Sequence, residues 1–299
     1  MVRRLNLPKS VVRQIVRYVQ RPALGGPLPL RAQRLYAELL ASLPPSPPGT
    51  RLEQVTLGGR ATLKVTVARA RTAIAPDDVA VVHLHGGAYT IGSPRIYRTF
   101  AANLAELTGM PVYVPDYRLA PEHRYPAALQ DAVAACAELA EMHERFVLTG
   151  DSAGGGLAAA AALRLAGGPA APAALGLISP WVDLTEVPRR RSDLVVRTSW
   201  GAHCAALYSG EADRADPGIS PIYGDLALLP RTLVQVADDE VLLEQVRRFA
   251  DKAIPAGVDL TLTELPRLWH VAHLHAGLLT EAYDAIRQLA VFLSGTPDG

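Results

Sequence analysis

Phe146-Val147-Leu148-Thr149-Gly150-Asp151-Ser152-Ala153-Gly154-Gly155 is the stretch on which the reading of this 299-residue chain turns. Phe146 to Leu148 is a short apolar run of strand type, and Gly155 to Leu165 is an Ala-rich helical pattern. Between them lies a Gly-x-Ser-x-Gly turn, which in a strand-to-helix setting is a nucleophile elbow. Glycines on both sides of Ser152 allow a bend that a Cβ would obstruct, and the bend leaves the hydroxyl exposed. The helix that follows aims its free N–H groups and positive dipole end at any oxyanion forming beside Ser152. No other Gly-x-Ser-x-Gly occurs in the chain.

Outward from this turn, short apolar runs alternate with longer helical patterns. Strands are predicted at Val79 to Leu84, Pro111 to Val114, Ala174 to Ile178, Thr232 to Val236 and Val258 to Leu262. Helices are predicted at Tyr125 to Met142, Val241 to Ile254 and Ala282 to Leu293. Such alternation means an α/β fold with a mostly parallel sheet covered on both faces. Leu52 to Leu57 and Ala61 to Val67 flank Gly58-Gly59, a hairpin signal at a sheet edge. Before about residue 42, Val12, Ile15, Val16, Val19, Leu35 and Leu39 recur at helical spacing, so two amphipathic helices are expected. Pro44, Pro45, Pro47 and Pro48 then close that segment. Asp183 to Gly218 shows no strand, only helical patterning around Trp200 to Tyr208, and reads as an insertion. The expected organisation is an N-terminal helical segment at 1–48, a core at 49–182 and 219–299, and an insertion at 183–218.

Composition narrows the function classes. Hydrophobic residues make up 49% and charged residues 20% of the chain, values of a folded protein with a sizeable core. Thirty basic residues against 29 acidic ones provide no field that would select nucleic acid or an anionic membrane. Arg13 and Arg17 interrupt the apolar residues near the N-terminus, so no secretory signal is read there. Gly167, Gly168, Pro169 and Pro172 break the one long uncharged stretch, so no membrane span is expected. Cys136 and Cys204 are too few for a disulfide framework, and a cytoplasmic protein is expected.

His85-Gly86-Gly87-Ala88-Tyr89 follows the strand Val79 to Leu84. A Gly-rich turn at that place supplies backbone donors to a tetrahedral intermediate, together with the N–H after the nucleophile. Gly86, Gly87, Ala88 and Ala153 are therefore the candidate oxyanion residues. On this scaffold the chain order is nucleophile, acid, His. The candidate bases after the strand ending at Val236 are His270, His273 and His275. Asp238-Asp239-Glu240 follows that strand at a carboxyl end, where sheet residues converge on a ligand crevice, and spacing does not separate Asp238 from Asp239.

Four stretches together resemble the hormone-sensitive-lipase-like carboxylesterases of the α/β-hydrolase fold. They are His85 to Tyr89, Pro115-Asp116-Tyr117-Arg118-Leu119-Ala120-Pro121-Glu122-His123, Gly150 to Gly155, and Ser179-Pro180-Trp181-Val182-Asp183-Leu184-Thr185. The likeness runs from about Leu52 to the C-terminus and implies an eight-stranded sheet with a helical cap built from the N-terminal helices and the insertion. It selects Asp239 as acid, because the family's Gly-x-Asp run falls on Ala237-Asp238-Asp239. It selects His270 as base, because the His-Val-Phe run falls on His270-Val271-Ala272. The implied activity is hydrolysis of short-to-medium acyl esters by a Ser152-His270-Asp239 triad through an acyl-enzyme, with lactone hydrolysis as the alternative. The resemblance also favours a homodimer. Ala88 stands where the family has a third Gly, so a left-handed backbone there would carry a Cβ penalty.

Tyr89, Trp181, Leu184, Trp200, Tyr208, Leu242, Trp269 and Val271 fall near these motifs and are candidates for lining an apolar pocket or for packing. His83, His85 and His123 are read as structural hydrogen-bonding groups, as are Asp116, Asp151 and Asp183. The His spacing, without a His-Glu-x-x-His pattern or accompanying Cys, does not suit a metal centre. The implied partner is a small-molecule ester, and no metal or organic cofactor is called for.

Overall fold

The computed structural model describes residues 5–24, 28–41, 46–68 and 78–295; Pro44 and Pro45 lie outside them. Helices α1 (Lys9–Ile15) and α2 (Leu30–Ala41) come first, α1 running on into a π-helical turn at Val16–Gln20. The sheet contains β1 (Thr50–Leu57), β2 (Arg60–Val67), β3 (Val79–Leu84), β4 (Val112–Pro115), β5 (Arg145–Asp151), β6 (Leu175–Ile178), β7 (Thr232–Ala237) and β8 (Leu260–Leu265). Helices α3 (Arg98–Thr108), α4 (Ala127–Met142), α5 (Ala153–Leu165), α6 (Thr198–Ser209), α7 (Leu243–Ala253) and α8 (Thr280–Ser294) complete it.

Strand order is β1-β2-β4-β3-β5-β6-β7-β8. The β1–β2 hairpin and the β2–β4 pair are antiparallel, and every pair from β4 to β8 is parallel. Central strands are buried along their whole length, which is why they read as continuous apolar runs. Their side chains still alternate. Ala80, Val82 and Leu84 of β3 join one apolar cluster with residues of α4, α5 and α7; Val79 and Val81 join the other with residues of α1, α3 and α8.

Several element ends differ from the sequence expectation, as in β8, which runs Leu260–Leu265 and not Val258 to Leu262, and two further differences have a local cause. β5 extends through Thr149, Gly150 and Asp151, although Gly and Asp have low strand propensity, because β3 and β6 hold them in register from both sides. α3 was not read from the sequence. No side chain caps its N-terminus, and its stop is Gly109 with φ 77°, so a helix start signal was missing.

The turn after β5 depends on close backbone approach. A Cβ on Gly150 would lie 2.2 Å from the Gly154 carbonyl oxygen, and one on Gly154 would lie 2.0 Å from that of Leu84. Both are far inside contact distance, so glycine alone permits the chain to fold back there. Small residues line α5 because it is buried on all sides: Ala153 through Ala162 are all sequestered.

Candidate active site

Ser152 sits between β5 and α5 with φ 52° and ψ −122°, a backbone conformation that an L-residue holds only under constraint from its surroundings. Its Oγ lies 2.9 Å from His270 Nε2. His270 comes from the loop after β8, and the left-handed Val271 that follows it, φ 50°, turns the chain into a short helical segment at Ala272–His275. His270 Nδ1 lies 3.1 Å from Glu240 Oε1.

The expected acid is therefore corrected. Asp239 does not meet His270. It faces outward between two guanidinium groups, Arg190 at 2.5 Å and Arg13 at 3.2 Å. Asp238 is exposed and accepts the Arg267 N–H at 2.7 Å. Glu240 is the buried member of the run: its second oxygen accepts from Ser179 Oγ at 2.6 Å and from the Ala237 N–H at 3.0 Å. A carboxylate three residues beyond the strand folds back onto the strand's last N–H, which directs its other oxygen at the imidazole. The matched motif ends one residue short of this position, and no sequence signal separates the three acids. Ser179 and Asp193 were missed for the same reason. Asp193 accepts the Val241 N–H at 3.0 Å and so ties the insertion to the acid's loop.

Burial pulls the His270 imidazole down, but the Glu240 charge and hydrogen bond, helped by Asp193 and Asp151, leave it above its ordinary value of 6.5.

Gly86 is also corrected. Its N–H is already engaged by Asp151 Oδ1 at 2.9 Å and the Tyr97 hydroxyl at 3.0 Å, so it is no oxyanion donor. Asp151 takes the Tyr97 O–H on its other oxygen at 2.7 Å, which fixes the Gly-rich turn to the turn at Ser152. The N–H groups of Gly87, Ala88 and Ala153 make no hydrogen bond to the described residues. Ala88 has φ 53°, the left-handed geometry for which its Cβ carries a penalty, and its neighbour Tyr89 has φ 60°.

The buried histidines other than His270 are structural, whereas His123, expected to be a structural hydrogen-bonding group, is exposed and its side chain makes no hydrogen bond to the described residues. His83 Nδ1 pairs with Thr149 Oγ1 at 2.9 Å, His85 Nδ1 donates to the Gly86 carbonyl at 2.9 Å, and His273 Nε2 meets Gln235 Oε1 at 2.9 Å. Desolvation lowers His85 to about 4, His273 to about 3 and His275 to about 4. These three stay neutral in the fold, whereas the unfolded chain protonates them below about 6.5. Their folded pKa values are depressed, so their contribution is present above pH 6.5 and lost as pH falls towards 4. Each costs about 1.4 kcal/mol per pH unit across that window. The raised His270 acts in the opposite sense near pH 6.5. Thermal melting followed from pH 7 to pH 4 should show a steep fall in Tm; a flat profile would contradict the buried neutral state.

Two lobes open from Ser152. The smaller has a volume of about 50 Å³ and is bounded by Trp181, Leu184, Leu242 and Trp200; the larger, about 170 Å³, is bounded by Trp200, Val271 and residues of the N-terminal helices such as Leu40. Tyr89, Tyr208 and Trp269 border neither lobe and are packing residues. Tyr89 stacks on Tyr208 at 3.8 Å between ring centres, and Trp269 is fully buried beneath Arg13, whose guanidinium carbon lies 5.9 Å from the ring centre. Among the described residues, no group of three or more His, Cys, Asp or Glu side chains is placed to hold a metal ion, and no helix is long and apolar enough to cross a membrane.

A family model for the alpha/beta hydrolase fold matches residues 81–274. A crystal structure titled hormone-sensitive lipase, from a metagenome library, superposes with a TM-score of 0.87 at 30% identity, covering 97% of this chain and 98% of that one. The chain belongs to the hormone-sensitive-lipase-like family of α/β hydrolases. LipR of Mycobacterium tuberculosis is 36% identical over 299 residues, covering 97% of this chain and 96% of its own length. An acetyl-hydrolase of Streptomyces hygroscopicus is 39% identical over 227 residues, covering 73% of this chain and 76% of its own. The protein is an ester hydrolase of this family. The matched range contains the elbow at Ser152, the Gly-rich turn at His85 to Tyr89, Glu240 and His270.

Proposed function

We propose that this esterase is a serine carboxylesterase acting on short-to-medium acyl esters through a Ser152-His270-Glu240 triad and an acyl-enzyme. The observation that carries the reading is the unbroken line from Ser152 Oγ through both imidazole nitrogens to the buried Glu240 carboxylate, at 2.9 and 3.1 Å. Ser152 attacks the ester carbonyl as His270 Nε2 takes its proton, and Glu240 holds the Nδ1–H tautomer and stabilises the imidazolium. The unengaged N–H groups of Gly87, Ala88 and Ala153 converge on the developing oxyanion, each donor of this kind being worth about 3 to 4 kcal/mol of barrier. His270 then protonates the leaving alcohol, and water activated at the same nitrogen releases the acid.

The N-terminal helices and the 183–218 insertion act as the cap over this site. That role is supported by their joint attachment to Asp239 through Arg13 and Arg190 and by the lining they contribute to the larger lobe. The small lobe favours short acyl groups, a preference in keeping with the acetyl-hydrolase name of the Streptomyces relative.

The test is hydrolysis of p-nitrophenyl esters from acetate to decanoate, together with labelling by a fluorophosphonate. Turnover that is highest at short chains, with the label on the Ser152 peptide, is the expected result. Absence of ester turnover, or a label on another residue, would overturn the reading.

A further inference from the structure

Five residues border both lobes. Ala88, Ser152 and His270 belong to the reacting centre, which leaves Val196 and Trp200 as the wall between them. Trp200 is the larger of the two, a rigid ring with two rotatable bonds. It lies on α6, in the insertion, and its indole N–H donates to Gln33 Oε1 at 3.0 Å. Gln33 lies on α2, is only 4% exposed, and uses its amide N–H to hold the Leu28 carbonyl at 2.8 Å. Both ends of the amide are thus engaged, and its oxygen fixes where the indole stands. Gln33 itself borders neither lobe.

We infer that Trp200, held in place by Gln33 from the N-terminal segment, is the partition that sets acyl-chain selectivity, so that the preferred substrates join a short acyl group to a bulkier apolar alcohol. This rests on the serine-esterase reading above. The assignment of sides follows from the order of bond breaking. The acyl group stays bonded to Ser152 after the alcohol leaves, and water must then reach His270. The confined lobe suits the group that stays, and the roomier lobe gives the alcohol an exit and water an entry. Gln33 is a positioning residue in this scheme, acting on selectivity only through the indole.

Two series of substrates test it: p-nitrophenyl esters with the acyl chain varied, and acetate esters with the alcohol varied. In the wild-type protein, kcat/KM should fall by at least about tenfold between four-carbon and eight-carbon acyl groups, the scale on which a hydrophobic pocket discriminates chain length. Trp200→Ala should raise the eight-to-two-carbon ratio by about tenfold or more and leave the alcohol series within about threefold. Gln33→Met, which keeps size but removes the acceptor, should move the acyl ratio the same way by a smaller factor. A Tm within about 3 °C of wild type serves as the folding control. Should Trp200→Ala fail that control, Trp200→Phe, which lacks the N–H and is smaller, is read in its place. Unchanged acyl ratios in properly folded variants, or a change confined to the alcohol series, would overturn the partition. Wild-type protein without ester turnover would instead overturn the esterase reading, and is seen before any variant is made.

Discussion

Ser152→Ala lowers kcat towards p-nitrophenyl acetate by about 10⁶-fold, the loss seen when the nucleophile of a working triad is removed. It also abolishes fluorophosphonate labelling. The Ser152 side chain makes its one side-chain hydrogen bond to His270 and none within the core, so its removal should leave Tm within about 2 °C. The backbone at Ser152 is held by its own N–H to the Ile178 carbonyl and by its carbonyl to Gly155, Gly156 and Trp181, and alanine keeps all of these. What survives is catalysis by the oxyanion donors and binding alone, typically 10³- to 10⁴-fold over water. Turnover in the variant within tenfold of wild type would remove Ser152 from the chemistry. Loss of turnover accompanied by a large fall in Tm would signal a folding defect and would be resolved by Ser152→Cys.

The second large effect separates two neighbouring acids. Glu240→Gln lowers kcat by about 10⁴-fold, because an amide at this position no longer enforces the tautomer or stabilises the imidazolium. Asp239→Asn changes kcat by no more than about threefold, because Asp239 touches only Arg13 and Arg190 at the surface. The pH profile gives an independent reading. In the wild-type protein His270 titrates above 6.5, and it must be neutral to act as base. Activity therefore falls as pH drops through a value above 6.5. Removing the Glu240 charge takes away what holds the pKa up and leaves the effect of burial, so the acid limb of Glu240→Gln moves to lower pH. A larger loss in Asp239→Asn than in Glu240→Gln, or an acid limb that does not move, would return the role to the aspartate. Steady-state kinetics from pH 5 to 9 on the three proteins decides this.

Arg13 comes from α1 and Arg190 from the chain between β6 and α6, so the Asp239 carboxylate joins two segments distant in sequence beside Glu240, which pairs with His270. The ion pairs are partly exposed and individually weak. Their value is geometric, since they hold two distant pieces of chain in one arrangement next to the site.

How far the residues alone lead is clearest at Ser152 and at Glu240. Ser152 was legible as the candidate nucleophile because its surroundings are local: a strand, two glycines and a helix within about fifteen residues dictate a turn that any correct fold must contain. His270 was legible through order along the chain and the family likeness. The acid was not, because Asp238, Asp239 and Glu240 are equivalent in spacing. They differ only in which side chain the turn after β7 carries inward, and that depends on Ser179 and the Ala237 N–H, neither of which is near in sequence to His270. Gly86 failed for a similar reason, its N–H having been claimed by Asp151 and Tyr97 from other elements.

The sequence by itself determined the parallel α/β architecture, the elbow that presents Ser152 and the Gly-rich turn. Each rests on periodicity or on a turn whose stereochemistry admits few residues. Only the tertiary structure decided which carboxylate pairs with the His270 imidazole, which backbone donors are left unengaged, and that Trp200 of α6 is braced by Gln33 of α2. Those choices depend on hydrogen bonds between residues tens to hundreds of positions apart, and such bonds form only once the sheet has brought the carboxyl ends of its strands together.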